Sequence, residues 1–106
     1  MGQVIWTDKA AGHLQSIHEY ISKDSLNYAD SFIHSLIQAT QKLEQFPLIG
    51  RKVPEFENSG YNFKEVIYRG YRIIYHIKDS KNDVEILAVM NGRRDVGAEI
   101  KNEWDL

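Results

Sequence analysis

The apolar residues in the first half of the chain recur at the spacing of a helix. The first stripe consists of Ala10, Leu14, Ile17 and Ile21. Steps of four, three and four residues put these side chains on one face, so the pattern predicts a helix over residues 8 to 22. The β-favouring run at residues 4 to 6 predicts a short strand before it, and Thr7 is a residue type that favours the start of a helix.

A second helical stripe follows a break at the polar residues Asp24, Ser25 and Asn27. It consists of Ala29, Phe32, Ile33, Leu36, Ile37, Thr40 and Leu43. We expect this helix to run to Phe46, where Pro47 ends it because proline cannot continue the backbone hydrogen-bond ladder. Two amphipathic helices with so short a connection predict an antiparallel helical hairpin.

The period of the apolar residues changes to two after Gly50. Residues 63 to 68 and 71 to 77 alternate as strands do, and Arg69-Gly70 between them predicts a turn. The second of these strands predicts two different faces. One face carries Tyr71, Ile73, Tyr75 and Ile77, and the other carries Arg72, Ile74 and His76.

A further strand is predicted over residues 84 to 90, after a polar turn at residues 79 to 83. It is apolar at almost every position, which is typical of a central strand covered on both faces. Residues 91 and 92, Asn-Gly, end the strand, and residues 95 to 104 predict a short acidic final helix.

These elements predict one α+β domain over residues 1 to 106. Its order is a short N-terminal strand, an α-helical hairpin and a three-stranded antiparallel meander, with the helices packed on one face of the sheet. We expect the other face to be open to solvent, and function is expected at that open face and at the strand ends.

The composition excludes several kinds of site. The chain has no cysteine, so it has neither disulfides nor thiolate metal ligands. His13 and His18 are five residues apart and miss the spacing at which two helical histidines share a metal, so no metal or other cofactor is expected. The start of the chain lacks the pattern of a signal peptide, and no apolar run approaches the roughly 18 residues of a membrane span. These features predict a cytoplasmic protein.

The net charge of −2 is unevenly distributed. Residues 51 to 94 carry nine Lys and Arg against six Asp and Glu, whereas both ends of the chain are acidic. This excess is small for a protein that binds by neutralising phosphates, because the affinity of such proteins grows with the number of cations. The charge gives nucleic-acid binding only weak support.

Several motifs along nearly the whole chain resemble the RelE/ParE toxin superfamily, and its ParE-like branch more than its RelE-like branch. One of these motifs is Tyr71-Arg72-Ile73-Ile74-Tyr75. The more specific ones are the Phe-Pro-x-x-Gly-Arg-x-Val-Pro-Glu stretch at residues 46 to 55 and the final strand ending in Gly92-Arg93-Arg94-Asp95. The resemblance implies the toxin of a bacterial type II toxin–antitoxin system. Such a toxin inhibits growth, serves in plasmid stabilisation, and is neutralised by a co-encoded antitoxin with which it forms a hetero-oligomer.

The resemblance leaves the target of the toxin open. ParE-like members act by binding DNA gyrase, whereas RelE-like members cut messenger RNA on the ribosome. A third alternative is an inactive member that binds its antitoxin and nothing else. We favour a gyrase-binding inhibitor that is not an enzyme. For this reading the target-binding residues are Arg72, Asn91, Arg93 and Arg94.

The ribonuclease alternative needs a cation for the phosphate, a base for the 2′-hydroxyl and an acid for the leaving oxygen. Arg72 is the candidate cation and Glu65 the candidate base. His76 is the one candidate acid on the sheet, because the position after the last strand holds arginines, which are not acids at usable pH. Arg72 has a simpler alternative as well, namely a cross-strand pair with Glu65 or Glu85.

The predicted antitoxin surface rests on large apolar residues that exceed the needs of a small core. They are Leu26, Tyr28, Leu48, Ile49 and Phe56. We expect an unfolded antitoxin tail to cover them and to become ordered as it binds.

Overall fold

The computed structural model describes residues 2–78 and 82–92. In chain order the elements are β1 (Val4–Trp6), α1 (Asp8–Ser22), α2 (Leu26–Gln41), β2 (Arg51–Lys52), β3 (Lys64–Tyr68), β4 (Tyr71–Lys78) and β5 (Asp83–Asn91). Two 3-10 helices lie at Lys42–Glu44 and Pro54–Phe56. The helix predicted over residues 95 to 104 lies outside the described residues, as does most of the predicted turn before β5.

Each helix of the helical hairpin begins at a residue whose side chain caps it. Thr7 accepts a hydrogen bond from the backbone N–H of Ala10 at the start of α1, and Ser25 does the same for Tyr28 at the start of α2. The predicted bounds of α1 are confirmed. The prediction that the second helix runs to Phe46 was wrong, because the chain tightens into a 3-10 turn after Gln41. Neither described helix is long and apolar enough to cross a membrane.

The five strands form one sheet in the order β1-β5-β4-β3-β2. β1 runs parallel to β5, and the other neighbours are antiparallel. β5 therefore has a partner on each side, which confirms the prediction of a central strand. The predicted α+β class is confirmed too, with one strand more than expected. The additional strand is β2, which has only two residues. That is too short for the alternation of a strand to be recognised in the sequence.

The helices cover one face of the sheet. The buried residues of this helix-side core are Ala10, Ile17, Phe32, Leu36, Leu43, Ile73, Tyr75, Val84, Ile86 and Val89. Each large apolar side chain buried here contributes about 1.5–3 kcal/mol. The alternation predicted for β4 is confirmed, because Ile73 and Tyr75 face the helices whereas Ile74 belongs to a different cluster.

The opposite face of the sheet is covered in part, so the prediction of an open face was wrong. The covering segment is residues 53–63. Together with the sheet it forms a second core, which consists of Val53, Phe56, Phe63, Ile74, Leu87, Ala88 and Met90. The first three of these residues come from the covering segment. A bulge in β5 adds to the apolar surface of this face. Ile74 pairs with Ala88 and Tyr75 with Ile86, which leaves Leu87 without a partner in the ladder. Leu87 and Ala88 then both lie on this face and have to be covered.

Tyr75 attaches the segment after α2 to the sheet. Its hydroxyl donates to the carbonyl of Pro47 at 2.7 Å and accepts from the N–H of Gly50 at 2.9 Å. Tyr75 has no solvent exposure, and burial raises the pKa of its hydroxyl. A Cβ on Gly50 would lie 2.5 Å from the Tyr75 hydroxyl oxygen. Only glycine fits at position 50 without displacing this contact.

We expect Gly50→Ala to destabilise the protein by about 1–3 kcal/mol, because the added methyl group overpacks a buried contact. Gly12→Ala is the matched control. Nothing lies within 4 Å of a Cβ at Gly12, and this position is inside α1, so alanine should stabilise the helix by up to about 1 kcal/mol. Urea unfolding of both variants measures the two effects. Equal changes in stability would contradict the close approach at Gly50.

Candidate functional site

Two charged side chains are buried side by side on the face opposite the helices. Glu65 pairs with Ile74 across β3 and β4, and Arg72 pairs with Ile67, so the two charged residues are diagonal neighbours on one face. Arg72 Nε donates to Glu65 Oε1 at 2.7 Å. The side chain of Arg72 is 7% exposed and that of Glu65 is 0% exposed.

Two further residues complete this group. Arg51 lies opposite Glu65 in the β2–β3 register, and its Nε and Nη2 both lie 2.6 Å from Glu65 Oε2. Glu55 accepts two hydrogen bonds from the terminal nitrogens of Arg72, each at 2.8 Å. We call Arg51, Glu55, Glu65 and Arg72 the arginine–glutamate clasp. Its two positive and two negative charges balance.

The clasp favours the charged form of Arg72. The pKa of Arg72 is raised above its ordinary value, chiefly by the hydrogen bonds from its guanidinium to Glu55, with Glu65 acting in the same direction and burial opposing both. Glu65 has each carboxylate oxygen engaged by a different guanidinium group. A general base needs a lone pair within hydrogen-bond reach of its substrate. At 0% exposure and with a guanidinium group on each oxygen, Glu65 has no lone pair that a substrate could reach. The clasp instead ties the covering segment to the sheet through Glu55.

His76 lies apart from the clasp. It is four residues beyond Arg72 on the same strand, a separation of about 13 Å at strand rise. Its Nε2 is 2.7 Å from Glu85 Oε1, and its ring packs against Phe63 with the ring centroids 6.1 Å apart. The structure thus brings Arg72 and Glu65 together and leaves His76 in a separate cross-strand pair.

The predicted cross-strand pair between Arg72 and Glu65 is confirmed. The alternative pair between Arg72 and Glu85 was wrong, because Glu85 pairs with His76 and lies 3.8 Å from the ammonium of Lys78. The difference follows from the register, since His76 is directly opposite Glu85 whereas Arg72 is opposite Met90.

Asn91 is exposed at the end of β5, opposite Tyr71. The N–H of Gly92 donates to the carbonyl of Gly70 at 2.8 Å, so this end of β5 lies against the β3–β4 turn. Arg93 and Arg94, which sequence analysis assigned to the target with Asn91 and Arg72, lie outside the described residues.

Four of the five residues predicted for the antitoxin surface are exposed. The exposed fractions are 58% for Leu26, 53% for Tyr28, 70% for Leu48 and 66% for Ile49. Phe56 is 3% exposed, and its inclusion was wrong because its ring packs on Phe63 in the second core, with centroids 5.0 Å apart. Tyr20 and Phe46 are exposed aromatic residues as well, and sequence reasoning did not predict their exposure. For Tyr20 the signal was available, because it lies outside the apolar stripe of α1.

No cluster of three potential metal ligands occurs in the ranges 2–78 and 82–92. His13 and His18 each have a structural contact instead. His13 Nδ1 accepts from the backbone N–H of Val89 at 3.2 Å, which requires a neutral ring, and His18 Nε2 is 2.7 Å from Asp30 Oδ1. His13 thereby covers part of the β5 edge that lies beyond the short β1.

Arg51 and Glu55 are the residues of the site that sequence reasoning missed. Both belong to the Gly-Arg-x-Val-Pro-Glu motif at residues 50 to 55. The motif carried the family resemblance, but its spacing alone does not show that the two charged residues meet Glu65 and Arg72 from opposite sides. That contact depends on how the segment crosses the sheet.

The sequence of this chain is similar to one protein family. The model of the ParE toxin of the type II toxin–antitoxin system parDE matches residues 4–96. No curated protein shows a significant match to the chain.

The fold is similar to solved structures from toxin–antitoxin systems. A chain of the chromosomal ParDE system from P. aeruginosa has a TM-score of 0.69 and 19% identity, covering 86% of this chain and 96% of that chain. A chain of the RelBE2 toxin–antitoxin complex from Mycobacterium tuberculosis has a TM-score of 0.61 and 19% identity, covering 85% and 96%. The isolated E. coli RelE toxin has a TM-score of 0.51 and 16% identity, covering 100% of both chains. At these identities the likeness shows a shared fold.

We expect Glu65→Gln to destabilise the protein by about 3–5 kcal/mol, since it leaves two guanidinium groups around an uncharged buried amide. Glu55→Gln should cost less, because the side chain of Glu55 is 25% exposed and water can replace part of its contact. Glu19→Gln, at an exposed position of α1, controls for the lost charge. Thermal and urea unfolding rank the three variants. A Glu65→Gln variant as stable as Glu19→Gln would contradict a structural role for the clasp.

Proposed function

The chain belongs to the ParE toxin family of type II toxin–antitoxin systems, and from that premise we propose that it inhibits growth by binding DNA gyrase. A toxin of this kind is neutralised by an antitoxin partner. Action on gyrase implies that it works in the cytoplasm, where loss of the antitoxin would release it, as in plasmid stabilisation.

One observation carries the choice of binding over catalysis. The clasp occupies both residues on which RNA cleavage would depend, since Glu65 has no free carboxylate oxygen and Arg72 is held by two carboxylates. Exposing either residue to a phosphate would require breaking buried charge pairs, which costs several kcal/mol. Inhibition by binding requires no proton transfer and leaves the clasp intact.

The same geometry changes the role that we assign to Arg72. At 7% exposure its side chain has little surface to offer a target. We propose that Arg72 stabilises the sheet face opposite the helices, and that target contacts come from the end of β5. These are Asn91 and the following Arg93 and Arg94.

Induction of the chain alone in bacteria tests the target. We expect the DNA-damage response and filamentation to appear while bulk protein synthesis continues, because a trapped gyrase breaks DNA and leaves ribosomes active. Co-expression of the antitoxin is the control and should abolish both effects. Early arrest of protein synthesis with intact DNA would contradict the gyrase proposal and favour the ribonuclease, and no effect at all would favour a member that only binds antitoxin.

The antitoxin proposal rests on exposed apolar residues at the start of α2 and in the segment after it. Leu26 and Tyr28 lie at the start of α2, and Leu48 and Ile49 come seven and eight residues after its last residue, Gln41. The 16 residues of α2 span about 24 Å, a distance that an extended segment of about eight residues covers. We propose that one antitoxin tail follows this helix and contacts both ends.

Two double variants test this surface. Leu26→Ser/Tyr28→Ser and Leu48→Ser/Ile49→Ser should each weaken antitoxin binding at least about tenfold, the loss of one or two buried apolar contacts. The toxin should stay folded, because all four side chains are exposed. Ile67→Ser, which removes an exposed apolar residue from the opposite face, is the matched control. Calorimetry of the purified pair measures the affinities, and unchanged binding in either double variant would rule out the two-ended contact.

A further inference from the structure

The turn between β3 and β4 places an arginine in an unfavourable backbone conformation. Tyr68 pairs directly with Tyr71, so Arg69 and Gly70 form a two-residue turn, with φ angles of 46° and 86°. Two positive φ angles are typical of the turn that matches the twist of a hairpin, and its first position favours asparagine, aspartate or glycine. Among the described residues the other non-glycine with positive φ is Asn82, a favoured type. Arg69 is the exception.

The Arg69 side chain lies over an aromatic ring that is packed against α2. Its guanidinium carbon lies 5.5 Å from the centroid of the Tyr68 ring. Tyr68 and Tyr71 both pack edge-on against Phe32 of α2, with centroid separations of 5.9 and 5.8 Å. The turn itself is exposed. The Arg69 cation therefore lies over the Tyr68 ring at the end of the sheet and is accessible to a partner.

The end of β5 adds to the same surface. Gly92 is hydrogen-bonded to Gly70, and Asn91 lies opposite Tyr71. Residues 67 to 71 and 90 to 92 contain no acidic side chain. Arg69 is therefore the one charged side chain in these two segments, and neither segment holds a carboxylate to neutralise it.

We propose that this hairpin tip, consisting of Tyr68, Arg69, Gly70 and Tyr71 with Asn91, is a contact surface for the protein target, and that Arg69 pairs with a carboxylate there. The proposal rests on the proposed function only in that the toxin acts by binding a protein. A strained residue persists where function requires it, and arginine and tyrosine dominate the binding energy of protein interfaces. A nucleic-acid surface would need several cations, whereas the described part of the tip has one.

Arg69→Asn separates function from stability. Asparagine fits a positive φ, so the variant should unfold at the same temperature as the parent or a higher one and should still co-purify with the antitoxin. Its growth inhibition should fall at least tenfold, measured as surviving colonies after induction. Lys23→Asn is the matched control, because Lys23 also lies over a tyrosine ring, 6.0 Å from the centroid of Tyr20, and it should remain fully toxic. Arg69→Lys should regain part of the toxicity because it keeps the charge.

Three results would overturn the proposal. Full toxicity of Arg69→Asn would show that the tip is not needed, and loss of antitoxin binding would assign the tip to the antitoxin. Binding of a 20-nucleotide RNA by the purified toxin that disappears in Arg69→Asn would assign the tip to nucleic acid. If the parent chain gives no DNA damage but Arg69→Asn still loses toxicity without any change in RNA binding, the tip remains a protein contact and only the gyrase target fails.

Discussion

A carboxylate with no solvent exposure must be neutralised where it lies, and Glu65 is neutralised by the guanidinium groups of Arg51 and Arg72. This constraint joins four parts of the fold. Arg51 comes from the edge strand, Glu65 and Arg72 from neighbouring strands of the sheet, and Glu55 from the segment that covers the second core. Because an unpaired buried charge costs more than the pair contributes, the two buried members, Glu65 and Arg72, each require their partners. Tyr75 holds the chain before the covering segment through Pro47 and Gly50, and the clasp holds the covering segment itself through Glu55.

The same constraint shapes the functional conclusion. Residues that looked like a base and a phosphate-binding cation in the sequence are partners of each other in the structure, and His76 is paired elsewhere. Among the described residues, Arg69 and Asn91 are exposed at the end of the sheet, and exposed apolar residues lie at the start of α2 and in the segment after it. The Phe32 ring packs against both Tyr28 and Tyr68, so these two surfaces are adjacent. An antitoxin bound over Tyr28 would lie close to the tip proposed for the target, which gives a steric reason for neutralisation.

The sequence predicts those parts of the fold that repeat, and it misses those that depend on a single contact. The stripes of both helices, the alternation of β4 and the central place of β5 follow from periodicity over many residues. The bulge at Leu87 changes the phase of one strand by one residue, and a continuous apolar run conceals such a change. Phe56 looked surplus because the segment around it has no period, and only the crossing of that segment over the sheet buries it. Arg51 and Glu55 were visible as a motif, but their partners are distant in sequence.

Replacement of the buried charges by apolar residues tests most directly whether the clasp is structural rather than chemical. The variant Glu55→Leu/Glu65→Leu/Arg72→Met keeps similar volumes, and Arg51, which is 63% exposed, remains solvated. Buried charge networks often tolerate such replacement with little loss of stability. We expect a protein that folds, binds its antitoxin and arrests growth as the parent does. A folded, antitoxin-binding variant that has lost toxicity would contradict a structural clasp and would return Glu65 and Arg72 to the chemistry of the target.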